Sequence, residues 1–337
     1  MRLSVLSFYS GYVHRGVEVY AQNLKKYLSN HQIDIISAPK INWHQSFTRQ
    51  IAQFTRQALS QLESNPPDII YPLNNGWQSI LAKIFCLRHK TKLVLAGHSG
   101  LGWDDKLNLW LCPDMFICFS QAQARWAKSV NPRTRIKVIP HGVDLEKFNP
   151  QVKPKKLPLK KPIFVTVSAL SPQGRAGDSQ KNIELTIQAM AKLKNASLLL
   201  LGQGQLAPQI DQLGKQLLGP SRYRRFSVSH NLINQYYRAA DVFTLTSSPR
   251  EAFGLAYLEA LASNLPVVAT ADPIRREIVG PAGVFIKNPY DLLEYSQGLK
   301  TALQTNWGQK PYRQALKFSW GKIARQYEAT FQNLLTA

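Results

Sequence analysis

Cysteine is scarce: the 337 residues contain three, Cys86, Cys112 and Cys118. They are unevenly spaced and form no CxxC pair, so neither a disulfide framework nor a zinc site can be drawn through them. The usage is that of a reduced, cytoplasmic chain. Long apolar runs are also missing, and none approaches the roughly 18 residues that a membrane-spanning helix needs. The opening MRLSVLSFYS leads into glycines rather than a small-residue cleavage site, so it reads as a buried first strand and not as a signal peptide. There is no GxGxxG dinucleotide fingerprint, no DxD pair to hold a metal, no short internal repeat, and no low-complexity tract beyond one linker.

Acid is the other shortage. Twenty Asp and Glu face 42 Lys and Arg, a formal net charge of +22. Such a field attracts phosphate-bearing partners, whether nucleotides, nucleic acid or an anionic lipid surface, without choosing among them. The basic residues cluster at KPKKLPLKK (153–161), at Arg222, Arg224 and Arg225, and at Arg275 and Arg276. A solvated surface that keeps the protein soluble explains them equally well.

What the chain does have is size and alternation. Its length suits two domains. A hydrophobic content of 44% with 18% charged residues is that of globular α/β cores. Strand-like runs MRLSVLSF, DIISA, DIIYPL, KLVLAGHS, DMFICFS and IKVIP alternate with helix-like segments such as VEVYAQNLKKYL. QVKPKKLPLKKP (151–162) breaks the pattern, because proline serves neither ladder nor helix and lysine buries little. Alternation then resumes with PIFVTVSAL, NIELTIQAMAKL, ASLLLLG, LAPQIDQLGKQLL, INQYYRAA, DVFTLTS, a helix after Gly254, PVVAT and AGVFI. Strand alternating with helix predicts parallel sheets covered on both faces. The expectation is two tandem Rossmann-like, doubly wound α/β domains facing each other across a cleft. They comprise 1–150, a basic linker 151–162, a second domain 163–315 and a C-terminal segment 316–337. Ligands in such sheets sit at the carboxyl ends of the strands.

Candidate residues fall at those ends. Gly11 and Gly16 flank the turn into the first helix, where backbone can approach a phosphate closely; a tight βα turn accounts for them equally. His98, after the KLVLA run, has an ordinary pKa of about 6.5 and can act on a substrate hydroxyl, or it is a satisfied loop residue. Arg175 and Lys181, in SPQGRAGDSQKN, can both reach one anion, Arg as a planar fork and Lys as a point charge. EAFGLAYLEALASNLPVVAT holds Glu251 before a helix start and Glu259 in its second turn. At ~1.5 Å rise per residue the two carboxylates stand on the order of 10 Å apart. Two hydroxyl-binding ends around a helix N-terminus outline a sugar nucleotide. Dipole compensation explains Glu251 as well, whereas Glu259, among Leu255, Leu258, Leu261 and Leu265, needs a partner.

The same stretch resembles the E-x7-E signature of the retaining glycosyltransferases of family four, the glycosyl transferases group 1 with the GT-B fold. VIPHGVDLEKFNP, ICFSQAQARWAK, YYRAADVFTLTSS and FSWGKIARQYEATF match that family too, so the resemblance covers nearly the whole chain. It implies that Glu251 contacts the donor sugar and Glu259 the ribose. Phe253, Gly254 and Leu255 would offer backbone N–H groups to the sugar-diphosphate region. Lys181 would hold the diphosphate with an arginine, Gly16 would close on it, and His98 would face the acceptor side. The helix around Trp320 would cross back to brace the first domain. One departure stands out: Ala169 occupies the place of the usual family arginine, and Arg175 is the nearest substitute. The resemblance further implies a metal-independent, retaining transferase that needs no cofactor. It would take a nucleotide sugar as donor and a glycan, lipid-linked or small-molecule hydroxyl as acceptor. As a separate expectation, the basic surface of this cytoplasmic chain could dock on an anionic membrane face to reach a lipid-linked acceptor. A non-catalytic sugar-nucleotide binder and a basic nucleic-acid-binding protein stay open as alternatives, distinguished by donor binding without transfer and by salt-sensitive DNA retention.

Overall fold

A computed structural model describes residues 1–10, 16–39, 46–170, 181–248 and 251–336. The chain divides into two compact units, one of 1–142 with 320–337 and one of 143–319.

The first unit alternates β1 (Arg2–Leu6), α1 (Gly16–Tyr27), β2 (Gln32–Ile36), α2 (Phe47–Ser60), β3 (Ile69–Pro72), α3 (Trp77–His89), β4 (Lys92–Ala96), α4 (Trp103–Trp110), β5 (Met115–Cys118), α5 (Gln121–Val130) and β6 (Ile136–Val138). All its strand pairs are parallel, in the order β2-β1-β3-β4-β5-β6. Leu3 lies opposite Ile33 on one side and Ile69 on the other, which sets the register of the central strands. Continuous aliphatic strands form here because both faces are covered: Leu6, Ile70, Leu93, Leu95 and Phe116 are buried against Phe54, Ala82 and Phe85 of the helices.

The second unit runs β7 (Ile163–Val167), α6 (Ile183–Ala191), β8 (Ser197–Leu201), α7 (Ala207–Leu218), β9 (Tyr223–Phe226), α8 (Ile233–Ala239), β10 (Val242–Leu245), α9 (Leu255–Ala262), β11 (Val267–Thr270), α10 (Pro273–Val279), β12 (Gly283–Ile286), α11 (Leu292–Gln304) and α12 (Lys310–Ala315). Its parallel sheet has the order β12-β11-β10-β7-β8-β9. The chain winds outward from β7 to β9, returns to β10 beside β7, and winds the other way. The carboxyl ends of β7 and β10 are therefore the switch point at which doubly wound sheets bind ligands. Segment 151–162 is irregular and largely exposed, yet it is tied to this unit: Lys155 N–H donates to Gln235 O at 3.0 Å, and Lys161 pairs with Asp241 at 2.7 Å.

The last helix, α13 (Trp320–Thr336), belongs to the first unit. Trp320 stacks on Tyr27 with ring centroids 6.0 Å apart, and Tyr327 meets Tyr20 edge-on at 6.0 Å. Gly142 permits the close approach, since a Cβ there would lie 2.5 Å from the Trp320 ring.

Two readings from sequence change. β9 went unread because YRRF carries two arginines; it is an edge strand, where Arg225 leans out and pairs with Asp211 at 2.8 Å. The basic clusters are also not simply surface. Arg275 is fully buried, and Arg222 donates to the carbonyls of Met190, Leu193 and Ala196, satisfying groups that the end of α6 leaves open.

Candidate functional site

The second unit gathers its polar side chains at the switch point. Asn182, at φ +46°, caps α6 and donates from Nδ2 to Thr246 O at 2.7 Å, just past the end of β10. This bond pins the chain after β7 to the chain after β10. It sets the neighbouring Lys181 so that its Nζ lies 3.1 Å from Glu251 Oε1. Two residues 70 positions apart, each expected to touch a different part of one ligand, thus form a single ion pair.

Behind the pair stands Arg275. Asp272 caps α10, its Oδ1 accepting from the N–H of Ile274 and Arg275 at 3.0 and 3.1 Å, while its Oδ2 accepts from Arg275 Nε at 2.8 Å. The other arms of the guanidinium donate to Ser248 O at 3.0 Å and Glu251 O at 3.1 Å, and one lies 3.9 Å from Glu251 Oε2. The planar five-donor fork clasps the backbone of the loop that carries Glu251, a task a lysine's point charge could not perform. Burial alone would raise the Glu251 pKa, but Lys181 and Arg275 outweigh it and hold the carboxyl below its usual range. Glu251 is consequently ionised and pre-positioned. Burial likewise works against the Arg275 charge and is outweighed by Tyr257, Glu251 and Asp272.

Gly254 makes the turn from this loop into α9. Its φ of +97° suits glycine, and a Cβ there would meet the Tyr257 ring at 2.6 Å. Tyr257 is buried and fixed by its hydroxyl, which donates to Leu245 O at 2.8 Å and lies 2.6 Å from Ser247 Oγ. Among the described residues no side-chain hydrogen bond caps the start of α9 at Gly254 and Leu255.

Glu259 has the partners its surroundings demanded. Oε1 lies 2.9 Å from His230 Nε2, and Oε2 accepts from the Tyr237 hydroxyl at 3.0 Å. Lys147 Nζ lies 2.6 Å from His230 Nδ1. An ammonium can only donate, so Nδ1 accepts, the ring proton sits on Nε2, and Nε2–H donates to Glu259. Burial lowers the Lys147 pKa, with Glu259 and Asp144 opposing it.

The first unit holds the other candidates. Gly16 opens α1 and is exposed. His98 follows β4, and its ring packs against Phe119 at 4.9 Å and Tyr20 at 5.3 Å. Its Nε2 is buried without a hydrogen-bond partner among the described residues, and burial pushes the imidazole down to about 3. The ordinary pKa expected from sequence is thereby corrected: His98 is neutral at physiological pH, a hydrogen-bonding group and not a titrating one. Arg175 lies outside the described residues, as does Gly11. Ala169, in place of the family arginine, is exposed, and its carbonyl accepts from Ser168 Oγ at 2.8 Å.

Arg275, His230, Tyr237 and Lys147 were not read as site residues. Arg275 carried one signal: the Asp272-Pro273 start of a helix directly after a strand places the next residues at the strand-end rim.

Comparison with known proteins bears on family and fold. The model of glycosyl transferases group 1 matches residues 148–317, and that of glycosyltransferase family 4 matches 14–147. Sulfoquinovosyl transferase SQD2 of Arabidopsis thaliana is 32% identical over 174 residues, which cover 48% of this chain and 32% of that protein. The chain thus aligns with about a third of that relative's length. Among solved structures, sucrose-phosphate synthase from Thermosynechococcus elongatus superposes with a TM-score of 0.80 at 19% identity, covering 99% of both chains. Anabaena HepE in complex with UDP and glucose gives 0.76 at 18% identity, covering 99% of this chain and 100% of that one. At such identities the likeness is one of fold: two Rossmann-like domains of the GT-B glycosyltransferases.

Proposed function

The chain belongs to the glycosyl transferases group 1, and we propose from that premise that it is a retaining, metal-independent transferase moving a sugar from a nucleoside-diphosphate donor to an acceptor hydroxyl. The observation that carries the reading is the Lys181–Glu251 pair at 3.1 Å. A glycosyl diphosphate suits this pair, its phosphate facing the Lys181 ammonium and its sugar hydroxyls the Glu251 carboxylate. Glu259 lies further along α9, ~6 Å by helical rise from Leu255, in the direction of the ribose. UDP in Anabaena HepE supports a nucleotide donor and leaves the base of this chain's donor open.

In this mechanism the acceptor oxygen attacks the anomeric carbon on the face from which the diphosphate departs. The carbon–oxygen bond to the diphosphate breaks as the new glycosidic bond forms, and a diphosphate oxygen takes the acceptor's proton. Lys181, with Arg175 as its partner, stabilises the growing negative charge, and Glu251 orients the sugar hydroxyls. Neutral His98 is suited to hydrogen-bond a substrate hydroxyl. The sequence has no DxD pair, so cations and the start of α9 take the role a metal plays elsewhere; transfer should persist in EDTA, and complete loss on chelation would contradict it. The acceptor is a glycan, lipid-linked or small-molecule hydroxyl, and the +22 charge favours work at an anionic membrane surface.

A thermal-shift panel of UDP-, GDP-, ADP- and CMP-sugars tests the donor, because a ligand at 100 times its Kd stabilises the fold by about 2.7 kcal/mol. Retention of the donor's anomeric configuration in the product, read by NMR, tests the mechanism; inversion would refute it. Ala169 supports a second reading, a sugar-nucleotide binder without transferase activity, which donor binding with neither hydrolysis nor transfer would establish.

A further inference from the structure

The first unit presents an apolar face that its own core does not use. On α3, Trp77, Ile84 and Leu87 are 43% to 70% exposed. Their spacing sets them along one side of the helix, while Ala82, Phe85 and Cys86 are buried in the core. On α4, Trp103 and Trp110 are 67% and 51% exposed, and their rings meet edge to face at 5.3 Å. The two helices are held as neighbours at both ends of the contact. Asn108 Nδ2 donates to Asn75 Oδ1 at 2.7 Å, just ahead of α3, and Lys83 Nζ donates from α3 to Cys112 O at 2.8 Å, just past α4. Three of the chain's seven tryptophans therefore stand in solvent on two adjacent helices.

Their surroundings are basic. Lys106 lies between the two tryptophans of α4, Lys83 and Arg88 belong to α3, and Lys90 follows it. Of the two acids that open α4, Asp105 is buried and Asp104 exposed. The combination is not that of a protein-binding patch, whose core is typically depleted of lysine. Indole rings favour the headgroup layer of a bilayer, where an apolar body and a polar N–H are both accommodated. Lysine and arginine beside them meet anionic lipid phosphates, each contributing about 1 kcal/mol near the surface. Among the described residues no helix is long and apolar enough to cross a membrane, which fits attachment at the surface.

We propose that the α3–α4 face docks on an anionic lipid bilayer, with Trp77, Trp103, Trp110 and Leu87 in the headgroup layer and the flanking cations on lipid phosphates. The proposal rests on and deepens the membrane part of the proposed function, and its failure is distinguishable from failure of the donor reading, since vesicle binding is measured with no sugar nucleotide present. The full chain is sedimented with phosphatidylglycerol-containing vesicles and with phosphatidylcholine vesicles, at low and high salt. It should bind the former at low salt, and bromolipids should quench its tryptophan fluorescence. The triple variant Trp103→Ser/Trp110→Ser/Leu87→Ser should lose at least about tenfold in binding while keeping the wild-type unfolding temperature and donor-induced shift. Arg88→Glu/Lys106→Glu provides a second variant should the first fold poorly, and the same loss is expected. Lys194→Gln/Lys300→Gln, which removes two exposed cations of the second unit, should leave binding unchanged. Failure of the wild type to bind anionic vesicles overturns the proposal, as does equal loss from both charge-altering variants, which would indicate an unlocalised charge effect. A wild-type dimer in light scattering that the triple variant converts to monomer assigns the face to a second copy instead and overturns it as well.

Discussion

At the carboxyl end of the second sheet the polar groups are charged and mutually paired, whereas at that of the first the candidate imidazole is neutral, packed against rings, and without a hydrogen-bond partner at Nε2 among the described residues. The physical reason lies in what each environment lets a buried group keep. Around Glu251, two cations and a clasped loop outweigh desolvation, so charge survives burial. Around His98, Phe119, Tyr20 and His141 supply no compensating charge, so burial strips the proton instead. One end is prepared to meet phosphate and the other to hydrogen-bond a hydroxyl without ionising.

The strongest way to break the contrast is to remove Arg275. Arg275→Met should cost about 3–5 kcal/mol in denaturant unfolding, because it strands Asp272 and the carbonyls of Ser248 and Glu251. Arg275→Lys should recover little, since it lacks the fork. Unfolding close to wild type in either variant would show that the clasp contributes nothing. Next come Lys181→Ala and Glu251→Gln, each expected to lower kcat by about 10²–10³-fold while the fold survives; near-normal turnover in either would move the site elsewhere. His230→Ala, which frees one oxygen of Glu259, should raise the donor KM by about tenfold with kcat little changed. A fall in kcat without a change in KM would exclude a donor-positioning role.

The mildest effect is on the neutral side. His98 has its pKa lowered from 6.5 to about 3 in the folded chain. Between those values the unfolded chain binds more protons, so stability is fully present above pH 6.5 and falls as the pH drops through the window. One unit below 6.5 the loss is at most about 1.4 kcal/mol, and His98→Gln should flatten that part of the stability profile. An unchanged slope in the variant would mean that other groups carry it.

The fold was legible where burial on both faces demanded aliphatic strands, from MRLSVLSF to PVVAT. It was illegible at β9, whose arginines suit an edge but not a pattern, and on either side of β12, where α10, α11 and α12 went unread. The site divided in the same way. Glu251, Glu259 and Lys181 stood out because carboxylates and a lysine at strand ends need explaining. Arg275 did not, because a basic residue in a basic chain looks like surface, and only the folded loop brings its guanidinium to backbone 24 residues earlier in sequence. His230 and Lys147 were hidden for a related reason, since a hydrogen-bonded relay across 83 positions leaves no periodicity to read.

Arg222, Arg225 and Arg275 also alter what the isoelectric point of this protein signifies. These three are not part of the diffuse positive cloud: they serve as struts, holding the end of α6, the flank of α7 and the Glu251 loop. Anyone seeking to lessen unwanted adhesion to polyanions by neutralising cations could replace exposed lysines such as Lys194 and Lys300 freely, but would dismantle the scaffold by starting with the arginines.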